Sequence, residues 1–169
     1  MCMVYHHIEH IIAEALYSEC GQYRYRLTIQ HGTKKNGKTV CVIMQNPSVA
    51  GNKVADKSVQ FLEKLIFRMK YPQFEEVTRV IIVNQFARIQ TRDFKGTPDE
   101  AGIKNDSHIR NAIRESDSIV IAWGKSNPYT ERQATILNMI REYPGRNVLM
   151  TKKHPSRGTY KDFIMEYPI

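Results

Sequence analysis

Four short apolar segments of the sequence are each followed directly by residues that can hydrogen-bond a ligand. Two of the segments end in side-chain amides, one ends in an indole and one leads to an imidazole. In an open α/β sheet, ligands bind outside the carboxyl ends of the strands. We therefore expect one pocket built from four segments: Gln45-Asn46-Pro47-Ser48, Asn84-Gln85-Phe86, Trp123-Gly124 and His154-Pro155-Ser156.

Each of these segments also has a purely structural interpretation. Asn46-Pro47 and His154-Pro155 are typical of turns, Asn84 can cap a strand, and Trp123 can belong to the core. The placement of all four at strand ends is what favours a binding site.

A second candidate for chemistry is the loop Gly32-Thr33-Lys34-Lys35-Asn36-Gly37-Lys38-Thr39, which matches the phosphate-binding P-loop expression. That motif works only when the loop leads from a strand into a helix, whose first amides hold the phosphates. Here the loop leads into the strand-like run Val40-Cys41-Val42-Ile43-Met44. We therefore expect a polar hairpin tip and no site for nucleotide triphosphate hydrolysis.

The histidines near the start of the chain are a third candidate. His6 and His10 have the i, i+4 spacing that could bring two imidazoles to one metal on a helix, with His7 and Glu9 between them. The order typical of zinc proteases is absent, and no further ligands can be identified. We predict a polar helix face here, with no metal and no cofactor.

The elements that position these residues follow from hydrophobic periodicity. Residues 57–69 place Val59, Leu62 and Ile66 on one helical face, with Asp56 or Ser58 as the N-cap. Strands and helices then alternate, which predicts right-handed crossovers and a parallel sheet covered on both faces. The predicted elements are a strand at 79–84, a helix at 107–114, a strand at 118–123, a helix at 129–142 and a strand at 147–151.

The first forty residues are less regular. Residues 8–16 have a helical apolar spacing, although Leu16-Tyr17-Ser18 could equally begin a strand. Residues 23–29 and 39–44 are strand-like, and the polar cluster between them predicts a hairpin. The expected fold is a single α/β domain over residues 1–169. We expect a three-layer sandwich around a mostly parallel sheet of four to five strands, with an N-terminal hairpin and a helical extension at 1–14.

Composition excludes several classes of protein. With 41% hydrophobic and 25% charged residues in 169, the chain is globular, and its apolar runs are too short to cross a bilayer. The N-terminus lacks the pattern of a secretory signal, so we expect a cytoplasmic protein with no membrane partner. Cys2, Cys20 and Cys41 form no CxxC pair, which predicts reduced thiols.

The formal net charge of +8 favours a polyanionic partner, above all nucleic acid. Part of the excess lies between residues 141 and 161, close to the predicted loop around His154. A solvated basic surface explains the same charge equally well. Nothing in the sequence points to a particular oligomeric state.

Most of the chain, from about Leu16 to Phe163, resembles the family known as domain of unknown function 1643. The arginine that usually comes after this family's Phe-Ala step is displaced here, since Arg88 stands immediately after Ala87. The family name implies no established activity. The resemblance is carried by Tyr23-Arg24-Tyr25-Arg26-Leu27, Asn46-Pro47-Ser48, Asp56, Asn84-Gln85-Phe86-Ala87, Asn105-Asp106, Ala122-Trp123-Gly124 and His154-Pro155.

Shorter motifs, in the same order, resemble the uracil-DNA glycosylase superfamily. Gln45-Asn46-Pro47-Ser48 is similar to its first catalytic loop, and Ile81-Ile82-Val83-Asn84 to a strand ending in Asn. Ala122-Trp123-Gly124 and His154-Pro155-Ser156 are similar to its later turns. The resemblance implies the fold of that superfamily, with Asn46 positioning a water, Asn84 reading a base edge and His154 stabilising the departing base.

The sequence departs from that superfamily at several positions. Asn46 cannot act as a general base, Ser48 replaces a Tyr or Gly, and Arg157-Gly158 replaces an apolar wedge. Asp56 could supply the missing carboxylate, or could serve only as a helix N-cap.

These departures leave two functional hypotheses. The first is a DNA-glycosylase-like protein that recognises a nucleobase and hydrolyses an N-glycosidic bond in nucleic acid or a nucleotide. The alternative is a binding module of the same fold without catalysis. The predicted site has catalytic residues Asn46, His154 and Asp56; base contacts from Gln45, Asn84, Phe86, Trp123 and Ser48; and phosphate contacts from Lys152, Lys153, Ser156, Arg157 and Arg88.

Overall fold

Seven strands form one mixed β-sheet in the computed structural model, which describes residues 3–169. The strand order is β1-β2-β4-β3-β5-β6-β7. The strands are β1 (Ile11–Tyr17), β2 (Arg24–His31), β3 (Lys38–Met44), β4 (Val77–Asn84), β5 (Ser118–Ile121), β6 (Asn147–Thr151) and β7 (Ile164–Glu166).

The central strands β4, β3, β5 and β6 are parallel to one another. The pairings β1–β2, β2–β4 and β6–β7 are antiparallel. The prediction of a mostly parallel sheet of four to five strands is therefore not confirmed, because antiparallel strands extend the sheet on both sides. These pairings were hard to predict because β2 pairs with β4, which is distant in sequence, and because β7 has only three residues.

Helices cover both faces of the sheet and make three layers. Val59, Leu62 and Leu65 of α1 pack in the core on one face, and residues of α3 and α4 such as Ile109 and Ile136 pack on the other. The strands between the two cores are apolar on both sides, as is typical of a buried parallel sheet. The helices are α1 (Lys57–Phe67), α2 (Pro98–Ala101), α3 (Asn105–Glu115) and α4 (Thr130–Arg141).

The predicted helix at residues 8–16, and with it the helical extension at 1–14, is wrong where the structure describes it. Residues 11–17 form β1, which pairs antiparallel with β2. Ile11, Ala13 and Ala15 pack against the core, whereas Ile12 is 64% exposed. This period of two fits a strand, and pairing with β2 satisfies the backbone groups that a short helix would have paired internally.

The predicted hairpin of residues 23–29 and 39–44 is also wrong, although both segments are strands. β4 lies between β2 and β3, so the two do not pair. The hairpin at this end of the chain is formed by β1 and β2 instead. The connection between β2 and β3 leads into β3 at Lys38, so the P-loop match does not precede a helix.

The remaining predicted elements are present with shifted ends. Helix α1 begins after Asp56, whose side chain accepts a hydrogen bond from the amide of Val59 at 2.8 Å, as expected of an N-cap. The long loop after β4 contains the short helix α2. Thr97 and Glu100 form a capping box at the start of this helix. Helix α2 and strand β7 were not predicted, since both are short.

Two further observations concern membrane-spanning helices and the cysteines. No helix within residues 3–169 is long and apolar enough to span a bilayer. Cys20 is exposed and Cys41 is buried, and both are free thiols. Cys2, the third predicted thiol, lies outside the described residues.

Candidate functional site

A cavity of about 630 Å³ opens where β3, β5 and β6 end. These three parallel strands lead into separate loops, and the loops meet at one edge of the sheet. Most of the residues predicted for the site line this cavity: Gln45, Asn46, Ser48, Asp56, Trp123, His154, Ser156 and Arg157.

The other predicted residues do not line it. Asn84 is fully buried at the end of β4. Phe86 packs edge-on against Phe94 and Tyr129 and borders a different cavity. Arg88 forms an ion pair with Asp99. Lys152 and Lys153 are exposed and also lie outside the cavity lining.

A chain of side-chain amides forms one wall of the cavity. Asn127 Nδ2 donates to Gln45 Oε1 at 2.9 Å, Gln45 Nε2 donates to Asn46 Oδ1 at 3.0 Å, and Asn46 Nδ2 donates to the carbonyl of Gln90 at 2.7 Å. At the other end, Asn127 Oδ1 accepts from the amide of Tyr129 at 3.1 Å. Backbone groups at both ends fix which atom of each amide is nitrogen and which is oxygen.

The fixed chain leaves defined hydrogen-bonding capacity for a ligand or water. Gln45 keeps one N–H and one lone pair, and Asn46 keeps a lone pair on Oδ1. The Asn46 amide can therefore accept a hydrogen bond from a water but cannot take up its proton.

The imidazole of His154 is held as a neutral ring. Its Nδ1 accepts from the amide of Ser156 at 3.1 Å and lies 2.9 Å from the Ser156 hydroxyl. Because a backbone amide can only donate, the ring proton belongs on Nε2, which has no partner among residues 3–169. Burial, and then the charge of Arg157, lower the pKa of His154, with Asp56 opposing.

Gly124 allows the turn after β5 to pack closely against His154. Its φ is +93°, a conformation that other residues rarely adopt. A Cβ at this position would lie 3.3 Å from the Cβ of His154. The Trp123-Gly124 turn therefore supports the imidazole as well as bordering the cavity.

Asp56 has both structural and site contacts. Its Oδ1 accepts from the Val59 amide, and its Oδ2 accepts from the Ser48 hydroxyl at 2.8 Å. Asp56 is therefore the N-cap of α1, and it also lines the cavity. Each oxygen retains further accepting capacity.

Arg24 is a cavity residue that the sequence prediction missed. It is 1% exposed, and it donates to the carbonyl of Ala50 at 2.9 Å and to Asn84 Oδ1 at 3.3 Å. Asn84 is thereby held by a guanidinium, and its own Nδ2 has no partner among the described residues. Alternation along β2 indicated that Arg24 and Tyr25 face opposite sides of the sheet. Nothing in the sequence indicated which side holds the site.

Asn127 and Gln90 were also missed. They lie in loops after β5 and β4, and no local pattern distinguishes them from other polar loop residues. Their roles depend entirely on contacts with Gln45 and Asn46, which are distant in sequence.

The charges that line the cavity are mainly positive. Arg24, Lys57 and Arg157 contribute cations, against the carboxylate of Asp56, among the described lining residues. Within residues 3–169 there is no group of three or more His, Cys, Asp or Glu side chains placed to hold a metal ion.

The histidines near the N-terminus do not lie on a helix, so the geometry considered for a metal pair is absent. His7 instead contacts Glu63, with Nδ1 2.6 Å from the carboxylate, while its Nε2 lies 2.7 Å from the carbonyl of Gly51. His6 and His10 are exposed.

Comparison with known proteins gives one match. No curated protein and no solved structure is significantly similar to the chain. A family model does match, over residues 24–157, which include Arg24, the amide chain and His154. The chain therefore belongs to the family described as "Protein of unknown function (DUF1643)".

Proposed function

We propose that the cavity recognises a nucleobase and that the protein hydrolyses an N-glycosidic bond, in the manner of a DNA glycosylase. The observation that carries the proposal is the position of a neutral, donating His154 in the same cavity as the fixed amides of Gln45 and Asn46. The predicted resemblance to the uracil-DNA glycosylase superfamily assigned roles to two of these three residues.

The proposed chemistry assigns each side chain a step. Cleavage of an N-glycosidic bond develops positive charge on the sugar and negative charge on the base, so donors aimed at the base lower the barrier. His154 Nε2–H stabilises the departing base, Gln45 contacts the base edge, and Trp123 lies against its ring. Asn46 Oδ1 holds the attacking water, and Asp56 stabilises the cationic sugar. The bond between the base nitrogen and the sugar carbon breaks, the water oxygen bonds to that carbon, and the proton of the water passes to the departing base anion.

The donor role of His154 suits its electrostatic setting. A ring that remains neutral near pH 7 carries its single proton on Nε2 and donates from there, while Nδ1 goes on accepting from the amide of Ser156. The preorganised hydrogen bond at Nδ1 keeps the ring in the donating tautomer, so no reorganisation is needed when negative charge develops on the base.

A non-catalytic binding module is the second candidate, and Asp56 is the observation that favours it. Both of its oxygens already accept hydrogen bonds, one from the start of α1 and one from Ser48. Asn46 cannot replace it as a proton acceptor. In this alternative, the cavity selects a nucleobase or nucleotide and the water is never activated.

The experiment that separates the two measures release of free base from oligonucleotides and nucleotides containing uracil or hypoxanthine. We expect release by the unmodified protein and a loss of at least about 100-fold in Asn46→Ala and in His154→Gln, the range for a proton-transfer or electrostatic group. His6→Gln, an exposed histidine outside the cavity, is the matched control. Release that survives both site changes would overturn the assignments.

Asp56 needs a design that separates capping from chemistry. Asp56→Asn retains a side-chain oxygen to accept from the Val59 amide but removes the negative charge. If Asp56 stabilises the sugar cation, this variant has the same free energy of unfolding as the unmodified protein but no longer releases base. Equal release in both proteins would assign Asp56 to structure alone. Base binding without any release would favour the binding module.

The partner and location follow from the same proposal. A nucleobase ligand implies nucleic acid or a nucleotide as partner, and the net charge of +8 agrees with an anionic one. The free thiols of Cys20 and Cys41 are consistent with a reducing compartment, and we propose the cytoplasm.

A further inference from the structure

The cavity contains a buried positive charge with no carboxylate partner in residues 3–169. The guanidinium of Arg24 donates only to neutral acceptors, the carbonyl of Ala50 and the amide oxygen of Asn84. Its Nε–H has no partner among the described residues. Asp56 acts on it only at longer range, while burial lowers the pKa of Arg24 to about 10.

An unpaired charge in such a place is costly unless a ligand supplies the opposite charge. Arginine remains protonated near neutral pH, so neutralisation by proton loss does not remove the cost. Arg24 is nevertheless the largest of the fully buried side chains and lines the cavity directly. This position indicates that an anionic group of the ligand completes the site.

The N-terminus of α1 adds independent donors at the same cavity. Lys57 and Ser58, the first two residues of this eleven-residue helix, line the cavity. Their amides precede the first intrahelical hydrogen bonds, and the helix dipole favours negative charge at this end. The side chains of Lys57 and Arg157 contribute two more cations, which outweigh the carboxylate of Asp56.

We infer that Arg24, the first turn of α1 and Arg157 form a subsite for a terminal phosphate group, so that the ligand is a free nucleotide. The inference rests on the proposed function and specifies its substrate class. A terminal phosphate has three free oxygens for these donors, whereas a phosphodiester has two. The nucleotides on both sides of a phosphodiester would also have to extend out of the cavity. A cavity of about 630 Å³ has the size of a small-molecule site.

Lys152, Lys153 and Arg88 have no part in this subsite. The first two are exposed outside the cavity lining, and the third pairs with Asp99. Of the phosphate contacts predicted from the sequence, the subsite therefore keeps Arg157, and its main anchor becomes Arg24.

Titration calorimetry with four probes tests the inference: inosine, inosine 5′-monophosphate, inorganic phosphate and a dinucleotide with one internal phosphodiester. The same set with uridine covers the other base. We expect the monophosphate to bind at least about tenfold more tightly than the nucleoside, the gain typical of a charge-assisted hydrogen bond. Inorganic phosphate should compete with the monophosphate.

Three variants make the test specific. Arg157→Gln and Lys57→Gln change exposed side chains, fold for that reason, and should weaken monophosphate binding about tenfold more than they weaken nucleoside binding. Arg24→Lys keeps the positive charge but loses the planar guanidinium, and it should weaken monophosphate binding further. Lys161→Gln removes an exposed lysine outside the cavity and is the matched control.

The outcomes separate this inference from the proposed function. Phosphate-dependent binding that needs Arg157 and Lys57, without base release, would support the subsite and contradict the hydrolase. Equal binding of nucleoside and monophosphate would overturn the subsite, even if base is released. Tighter binding of the dinucleotide than of the monophosphate would overturn it in favour of a polymer ligand.

Discussion

The backbone amide of Ser156 donates to Nδ1 of His154 at 3.1 Å, and this contact determines the protonation state of the imidazole. A protonated ring would place two hydrogens opposite each other, so the folded protein disfavours the cation. His154 is therefore a donor through Nε2 alone, and it cannot become charged without losing its contact with the loop that holds it.

The first prediction concerns the pH dependence of His154. Burial and Arg157 lower its pKa in the folded protein below the ordinary value of 6.5. The unfolded chain therefore binds this proton more readily, and stability that is present above pH 6.5 is lost as the pH falls through the folded pKa. NMR titration of the His154 ring should give a pKa below 6.5, and a value above it would contradict the Nε2–H tautomer.

The second prediction has the opposite sign and concerns His7. Burial tends to lower its pKa, but hydrogen bonds to Glu63 and to the carbonyl of Gly51, with the Glu63 charge, raise it overall. Both ring nitrogens face acceptors, which indicates an imidazolium. Because the folded pKa is raised, this stabilisation is present below pH 6.5 and is lost as the pH rises through the folded pKa.

His7→Ala tests that pair, since it leaves the carboxylate of Glu63, 1% exposed, without its cation. We expect a loss of about 3–5 kcal/mol in the free energy of unfolding at pH 6. The loss should shrink at pH 8.5, and urea denaturation at both values measures it. His6→Gln is the control, and an equal loss at both values would contradict the charged pair.

The third prediction concerns the amide chain. Asn127→Ala removes the donor that orients Gln45, and through it Asn46. We expect nucleoside binding to weaken about tenfold, while the free energy of unfolding falls by only about 1–2 kcal/mol, the cost of unpaired half-buried groups. Calorimetry and urea denaturation give the two values.

Asn138→Ala on the exposed face of α4 is the control for that change. It removes a side-chain hydrogen bond to Arg141 but touches no cavity residue. Unchanged nucleoside binding in Asn127→Ala would show that Gln45 keeps its orientation without the chain.

The fourth prediction uses two glycines with nearly the same φ. Gly124 and Gly145 have φ values of +93° and +91°. Alanine at either position costs about 1–2 kcal/mol through backbone strain. Only at Gly124 does the new Cβ meet His154, whereas nothing lies within 4 Å at Gly145. Gly124→Ala should therefore weaken ligand binding as well, and Gly145→Ala should not.

The comparison of these two variants isolates the contact with His154. Thermal unfolding should show similar losses in both proteins, and nucleoside binding should distinguish them. Equal binding in the two variants would mean that the turn after β5 does not position the imidazole.

Local patterns were sufficient for the elements that carry most of the site. The apolar face of α1 and its N-cap Asp56 are encoded within a dozen residues, because helical contacts are local. The runs that became β3, β4 and β5 are apolar on both faces, which predicts central strands. Strand-end placement then brought Asn46, Trp123 and His154 to one cavity without any knowledge of side-chain contacts.

Tertiary structure decided which strands pair and which buried residues meet at the site. Residues 8–16 fit a helix or a strand, and the free edge of β2 made them a strand. β4 entered between β2 and β3, and so carried Arg24 to the end of β4 beside Asn84. Strand pairing and buried hydrogen bonds join residues that are distant in sequence, so periodicity within one segment contains no information about them.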